Sequence, residues 1–163
     1  MTSPVPYSAA GPLKDYFVST LIPAAVTAVD GASSAVLVTY GHPGMEFADD
    51  MIGVGRVTSE QAQATMSPNR SREELLTVEV TISCYRGGGQ EQEQICGDRA
   101  YVLLGAIERQ VRVNDVTCGN NVRDCFLTAH VADGATDAAF LASGRCIEIQ
   151  ATFTARVRIS TTH

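Results

Sequence analysis

Residues 71–113 change periodicity halfway along, and few folds accommodate that change. The segment opens SREELLTVEVTISCYR, in which Leu76, Val78, Val80, Ile82 and Cys84 alternate with Thr77, Glu79, Thr81 and Ser83. A period of two puts the two sets on opposite sides of an extended chain, so this stretch reads as a half-buried strand. Gly87, Gly88 and Gly89 follow. Beyond them Cys96, Ala100, Leu103, Leu104, Ile107 and Val111 recur at spacings of three and four, which is one face of a helix. The alternation returns in RCIEIQATFTARVRIS at 145–160. There Ile147, Ile149, Ala151, Phe153, Ala155, Val157 and Ile159 face one way, and Glu148, Gln150, Thr152, Thr154, Arg156 and Arg158 the other. The three apolar sets are expected to meet in one core.

The remaining elements are read around this unit. Residues 1–11 hold Pro4, Pro6 and Gly11 among small polar residues, an extended arm that either frays or orders on a neighbouring subunit. Pro12 suits the first turn of a helix, and Leu13, Phe17, Leu21 and Ile22 form its stripe. Pro23 lies inside that helix and is expected to kink or break it; Asp30-Gly31 closes it. Residues 35–40, AVLVTY, are continuously apolar and read as a strand covered on both faces. After the turn chemistry of Gly41-His42-Pro43-Gly44, residues 51–58 read as a second strand antiparallel to the first, its two glycines marking a bulge or a bend. Polar residues 59–70 read as a loop or one helical turn, and residues 122–132 as a strand. Gly97 and Gly105 weaken the long helix, and close approach to a sheet is the expected reason for them. The sum is an α+β fold: a mostly antiparallel sheet with two main helices packed on one face. Residues 12–163 form a single domain behind the arm. Strands this long are expected to expose hydrogen-bonding edges that invite another chain.

Charge and motif content narrow the function. The net charge of −6 is the wrong sign for gripping a nucleic-acid backbone. No run of eighteen apolar residues and no basic leader with an apolar stretch is present, so neither a membrane span nor a signal peptide is expected. Cys84, Cys96, Cys118, Cys125 and Cys146 are odd in number and include no CxxC pair, which points to reduced, partly buried thiols rather than a metal site. The triple glycine has the outline of a phosphate loop. It lacks the GxGxxG spacing and the Gly-Lys-Ser/Thr ending, and Glu91 and Glu93 would repel a phosphate. His42, His130 and His163 have no metal spacing and no evident nucleophile partner. No catalytic residue, metal or cofactor is assigned. Two sets of charged residues carry an open choice. Glu46, Asp49 and Asp50 are either a solvated loop or, repeated around a ring, a negative channel lining that DNA passes without sticking. Arg70, Arg72 and Arg86 beside the long strand, and Arg156 and Arg158 on the last one, are either solvated strand ends or contacts with an adjacent subunit.

The order and texture of these segments carry a resemblance. A helix leads to a strand and a Gly-Pro loop, YGHPGMEFADD; a VGRV strand and a Ser-Arg-Glu-Glu opening follow. Then come the glycine break, the helix DRAYVLLGAIERQVR and the closing strand IQATFTARVRI. Over residues 12–160 the chain resembles the tail-terminator proteins of long non-contractile-tailed bacteriophages, the lambda-type minor tail protein U group. The resemblance implies a homo-oligomeric ring, a hexamer, with no cofactor and no catalysis. Such a ring caps the tail tube, ends its polymerisation and joins the tail to the head. It implies as partners the tail-tube protein and a head-tail connector or stopper protein, with DNA only passing through and no membrane. The implied place is the virion neck, after assembly in the host cytoplasm. Readings from other classes are a stopper, a tail-tube subunit, a small cytoplasmic enzyme with an interface site, and a binding module.

Overall fold

The computed structural model describes residues 7–64 and 71–160, so Arg70 and the first six residues of the expected arm lie outside the described residues. Five strands form one sheet: β1 (Leu37–Tyr40), β2 (Asp50–Gln63), β3 (Arg72–Gly87), β4 (Asp124–Gly134) and β5 (Gly144–Ile159). Their spatial order is β1-β2-β3-β5-β4. All neighbours are antiparallel except β1 and β2. The expected α+β architecture, with a mostly antiparallel sheet, is the one observed.

The two strands with the cleanest alternation form the centre of the sheet. β3 and β5 pair along their whole length, from Arg72 opposite Ile159 to Gly87 opposite Gly144. That register stacks Val78 on Phe153, Val80 on Ala151 and Ile82 on Ile149. Because side chains alternate, these pairs all point to one side, and each is buried. Two helices cover that side. The N-terminal helix (residues 10–30) lays down Leu13, Phe17, Leu21, Ile22, Ala25 and Val26, and the long helix (residues 91–114) lays down Cys96, Ala100, Leu103, Leu104, Ile107 and Val111. All join the strand residues in one apolar cluster. Phe17 meets Phe153 edge to face, with ring centroids 5.5 Å apart, and so pins helix to sheet.

Several local expectations are corrected. Pro23 does not break its helix. The preceding turn, Phe17–Leu21, widens to π-helical geometry, and Pro23 becomes the second residue of the α-helical stretch Ile22–Asp30. The wider turn accommodates a residue that has no N–H to donate and a ring that crowds the turn before it. β1 is parallel to β2, not antiparallel, with Leu37 beside Met51 and Tyr40 beside Val54. Four strand residues span only about 13 Å, a distance that the loop at 41–49 can retrace. β1 is also half-exposed rather than covered on both faces. Where the loop leaves β1 it hugs β2: a Cβ on Gly53 would sit 3.0 Å from the Gly41 carbonyl oxygen, tighter than side chains usually approach, which favours glycine there. The expected bulge in β2 is present, between Val54 and Val57. β2 itself runs on to Gln63, where a loop or one helical turn was expected, because β3 supplies a partner for each of these polar residues.

Gly97 and Gly105 do not approach the sheet: a Cβ at either position would have nothing within 4 Å. Both face open space on an otherwise regular helix, so alanine is sterically free there. Gly105→Ala should raise stability by about 1 kcal/mol through helix propensity alone. A shift of the urea midpoint to higher concentration at unchanged slope is the expected reading, and an unchanged or lower midpoint is the contrary one.

Candidate functional site

The two main helices cover one face of the sheet; the other is bare except at one end, where the short helix Ala138–Leu141 sets Phe140 edge to face on Tyr85, ring centroids 5.6 Å apart. Rows across the bare face follow from the register. Met51, Ser83, Glu148 and Asp133 form one row; Gly53, Thr81, Gln150 and Val131 the next. Glu79 and Thr152 stand opposite Ala129 beyond them, then Thr58, Thr77, Thr154 and Phe126. Glu60, Leu75, Arg156 and Asp124 come last but one. The face is therefore mainly threonine and carboxylate, with Leu75, Phe126 and Val131 its exposed apolar members. Thr128 on β4 reaches across to Thr154 Oγ1 at 2.8 Å and to the Thr152 carbonyl at 3.2 Å, which ties the outer strand down.

Both edges of this sheet are open among the described residues. β4 pairs with β5 alone. β2 pairs with β1 only as far as Val54, which leaves residues 55–62 with β3 as their one strand neighbour. Open edges usually carry proline, lysine or inward charges that block pairing. The β4 run DCFLTAHVADG has neither proline nor lysine, and its two carboxylates sit near its ends. At the corner between β1 and β2 the loop 41–49 projects Met45 and Phe47, 93% and 78% exposed. Beneath it lies a hollow of about 410 Å³ bordered by His42, Pro43, Phe47, Met51, Thr81 and Glu148.

The sequence-derived site residues separate into groups. Glu46 and Asp49 are exposed on the 41–49 loop, at the same end of the sheet as Glu148 and Asp133. Asp50 is not with them. It opens β2 on the helix side, opposite Cys84, where Arg86 reaches it at 2.7 and 3.2 Å and Arg99 Nε at 3.0 Å. Arg99 also grips Asp30 with both terminal nitrogens, at 2.8 and 2.5 Å. Two carboxylates and two guanidiniums thus join the end of the N-terminal helix, the long helix, β2 and β3. Hydrogen bonds from Arg99 and Ser34 hold Asp30 down at about 2, against the opposing effect of burial. Burial pushes Asp50 upward, but the two arginines outweigh it and leave its carboxyl below the usual range. Burial, aided by Asp50, pushes the Cys84 thiol up to about 12. Of the remaining arginines, Arg72 is exposed at the far end of β3. Arg156 pairs with Asp124, and Arg158 lies 3.9 Å from Glu73. Exposed pairs of this kind add little to stability.

Two polar features have no counterpart in the sequence reading. Arg99 follows Cys96 by three and precedes Leu103 by four, so it sits on the buried stripe, and a charge there signals a partner. Glu74 continues the core-facing parity of Leu76 and Val78 and is buried. Its carboxylate accepts from Ala9 N–H at 2.9 Å, Ser59 Oγ at 2.6 Å, Gln61 Nε2 at 3.2 Å and the Ser8 hydroxyl, fastening the start of the N-terminal helix to β2 and β3. Burial raises the Glu74 pKa, and these four donors more than offset it. Among the described residues no three metal-ligating side chains cluster, and no helix is long and apolar enough to cross a membrane.

The fold has a solved counterpart. It is similar to a chain in the virion of a native gene transfer agent particle, at 13% identity and a TM-score of 0.57. The similarity covers 94% of this chain and 99% of the other. At that identity the likeness is one of fold. No protein-family model matches the chain, and no curated protein matches it in sequence.

Proposed function

We propose that this chain is a structural protein of a phage-like virion that assembles into a ring, caps the tail tube, ends its polymerisation and joins the tail to the head connector. The observation that carries the proposal is the sheet: long, uncovered over most of one face, and open at both edges among the described residues. A sheet with two free edges closes on itself when copies related by rotation join the β4 edge of one to the β2 edge of the next. In a ring built this way the bare face lines the inside, presenting threonines, Glu79 and Glu148 to whatever passes. Carboxylates in such a lining repel a nucleic-acid backbone. The loop at 41–49 then stands at one rim with Met45 and Phe47 exposed, suited to an axial neighbour such as the tail-tube protein or the connector. Likeness of fold to a virion chain across nearly the whole length supports the same reading. The work done is recognition and closure, without catalysis.

A tail-tube subunit is the second reading, because a closed ring with an inner sheet is also what a stacking tube requires. Negative-stain imaging of the purified protein, alone and with tail tubes, is expected to show rings with a central hole. Single compact particles in both samples would remove the ring. Removal of the gene separates the two readings: overlong tails are expected of a terminator, and no tails of a tube subunit.

A further inference from the structure

We infer that β4 of one copy pairs antiparallel with the open part of β2 on the next copy, in the register that sets Asp133 directly opposite Arg56, a joint that rests on the ring proposed above. The partner is a second copy of this chain, and the sheet fixes its direction. Three antiparallel steps separate β2 from β4, so the two strands run oppositely within one subunit. Rotation about a ring axis leaves a strand's sense along that axis unchanged, so β4 meets the next copy's β2 antiparallel as well.

The backbone narrows the register. In an antiparallel pair, alternate residues turn their N–H and C=O towards the partner strand and the others turn them away. The Ala64 N–H donates to the Ser71 carbonyl at 2.8 Å, so Ala64 turns towards β3. Counting back by twos, Glu60 and Thr58 do the same, while Val57, Ser59 and Gln61 turn out to the open edge. The Ala135 N–H donates to the Cys146 carbonyl at 3.3 Å, so by the same count His130, Ala132 and Gly134 turn out on β4. Outward residues of one strand must face outward residues of the other. The Val54 carbonyl already accepts from the Gly41 N–H at 2.8 Å, and Gly53 lies beside Thr39, so β1 blocks β2 as far as Val54. Gly134, the last residue of β4, can therefore advance no further than a place opposite Gly55. Seated there, β4 fills the open edge from its start and pairs Ala132 with Val57 and His130 with Ser59 through the backbone.

Charge selects the same register. Arg56 precedes Thr58 by two, shares its place on the uncovered face, is exposed, and makes no ion pair among the described residues. On β4, Asp133 is exposed on that face opposite Glu148, and neither has an ion-pair partner among the described residues. Like charges directly opposite each other destabilise a sheet, so these carboxylates call for a cation from outside the subunit. With Gly134 opposite Gly55, Arg56 stands opposite Asp133 and Thr58 opposite Val131. A slip of two residues one way sets Arg56 against Val131, and a slip of four the other way sets Glu60 against Asp133.

Cysteine pairs read the register. Thr58→Cys with Val131→Cys puts two thiols at a non-hydrogen-bonded antiparallel position, where Cα atoms lie about 4.5 Å apart, close enough for a disulfide. Oxidation of the assembled variant with diamide should give a ladder of covalent oligomers on a non-reducing gel, collapsed by reductant and absent from the parent, whose five cysteines are buried or half-buried. Thr58→Cys with Ala129→Cys, or with Asp133→Cys, marks the slipped registers and should give at most a trace. Separately, Arg56→Glu or Asp133→Arg alone should raise the concentration at which the ring dissociates by about tenfold, and the two together should restore the parent value, with far-ultraviolet spectra unchanged throughout. A ladder from a slipped pair, or a charge exchange that fails to restore, in a protein that still forms rings, would overturn the register and leave the ring standing. A parent that stays monomeric with and without tail tubes would overturn the ring and this joint with it.

Discussion

Replacing Asp50 by alanine should destabilise the fold by about 3 kcal/mol, because it leaves two guanidiniums half-buried with their shared carboxylate gone. Asp50 is only 12% exposed in its side chain and takes hydrogen bonds from both Arg86 and Arg99. Asp50→Asn keeps the shape and some hydrogen bonding but not the charge, and should lose about half as much. Urea unfolding of both variants checks the order. A carboxylate on a solvated loop would change stability by no more than about 0.5 kcal/mol, so a loss that small would mean that the cluster does not hold the helices to the sheet. The cluster also fixes the direction of acid sensitivity. Asp30 is lowered from 3.8 to about 2, and Asp50 and Glu74 are lowered as well. A group whose pKa falls on folding contributes stability that is fully present above its unfolded value. Below that value the unfolded chain takes up protons that the folded chain does not, and the contribution is lost. Melting temperature should therefore fall as pH drops from about 4 towards about 2, and the fall should be shallower in Asp30→Asn.

Much of the central architecture was legible because the central strands and the long helix carry their own periodicity. The alternation in β3 and β5 placed Val78, Val80, Ile82, Ile149 and Phe153 on one face, and the helical spacing from Cys96 to Val111 brought its stripe to the same core. What could not be read depends on partners distant in sequence. Nothing in AVLVTY states whether its neighbour runs parallel. That is decided by a loop able to retrace four residues, and by β2 meeting β3 on its other side. Residues 59–63 show no apolar alternation because Glu74 and solvent, not the core, meet their side chains. Asp49 and Asp50 are adjacent in sequence, yet Asp49 ends the exposed loop and Asp50 opens β2 on the helix side. An acidic cluster in sequence is thus divided where the strand begins.

Lysines at Phe126 and Val131 together should abolish the proposed ring while leaving the subunit folded. Val131 is 66% exposed and Phe126 43%, and both lie on the bare face of β4, the outer strand of the sheet. Exposed substitutions away from the core change a subunit's own stability by about 0.5 kcal/mol or less, so the subunit should keep its fold. Edge pairing is far less tolerant. Lysine on an edge strand is one of the devices by which natural sheets prevent such pairing. In a closed ring every interface carries the same substitution, so the penalty recurs at each one and the ring opens rather than loosening at one joint. Light scattering should report the ring mass for the parent and the monomer mass for the double variant, with matching far-ultraviolet spectra. Rings that persist with both lysines in place would show that β4 is not the joint, and would move the interface to the helical side of the subunit. A parent that stays monomeric with and without tail tubes would remove the ring itself.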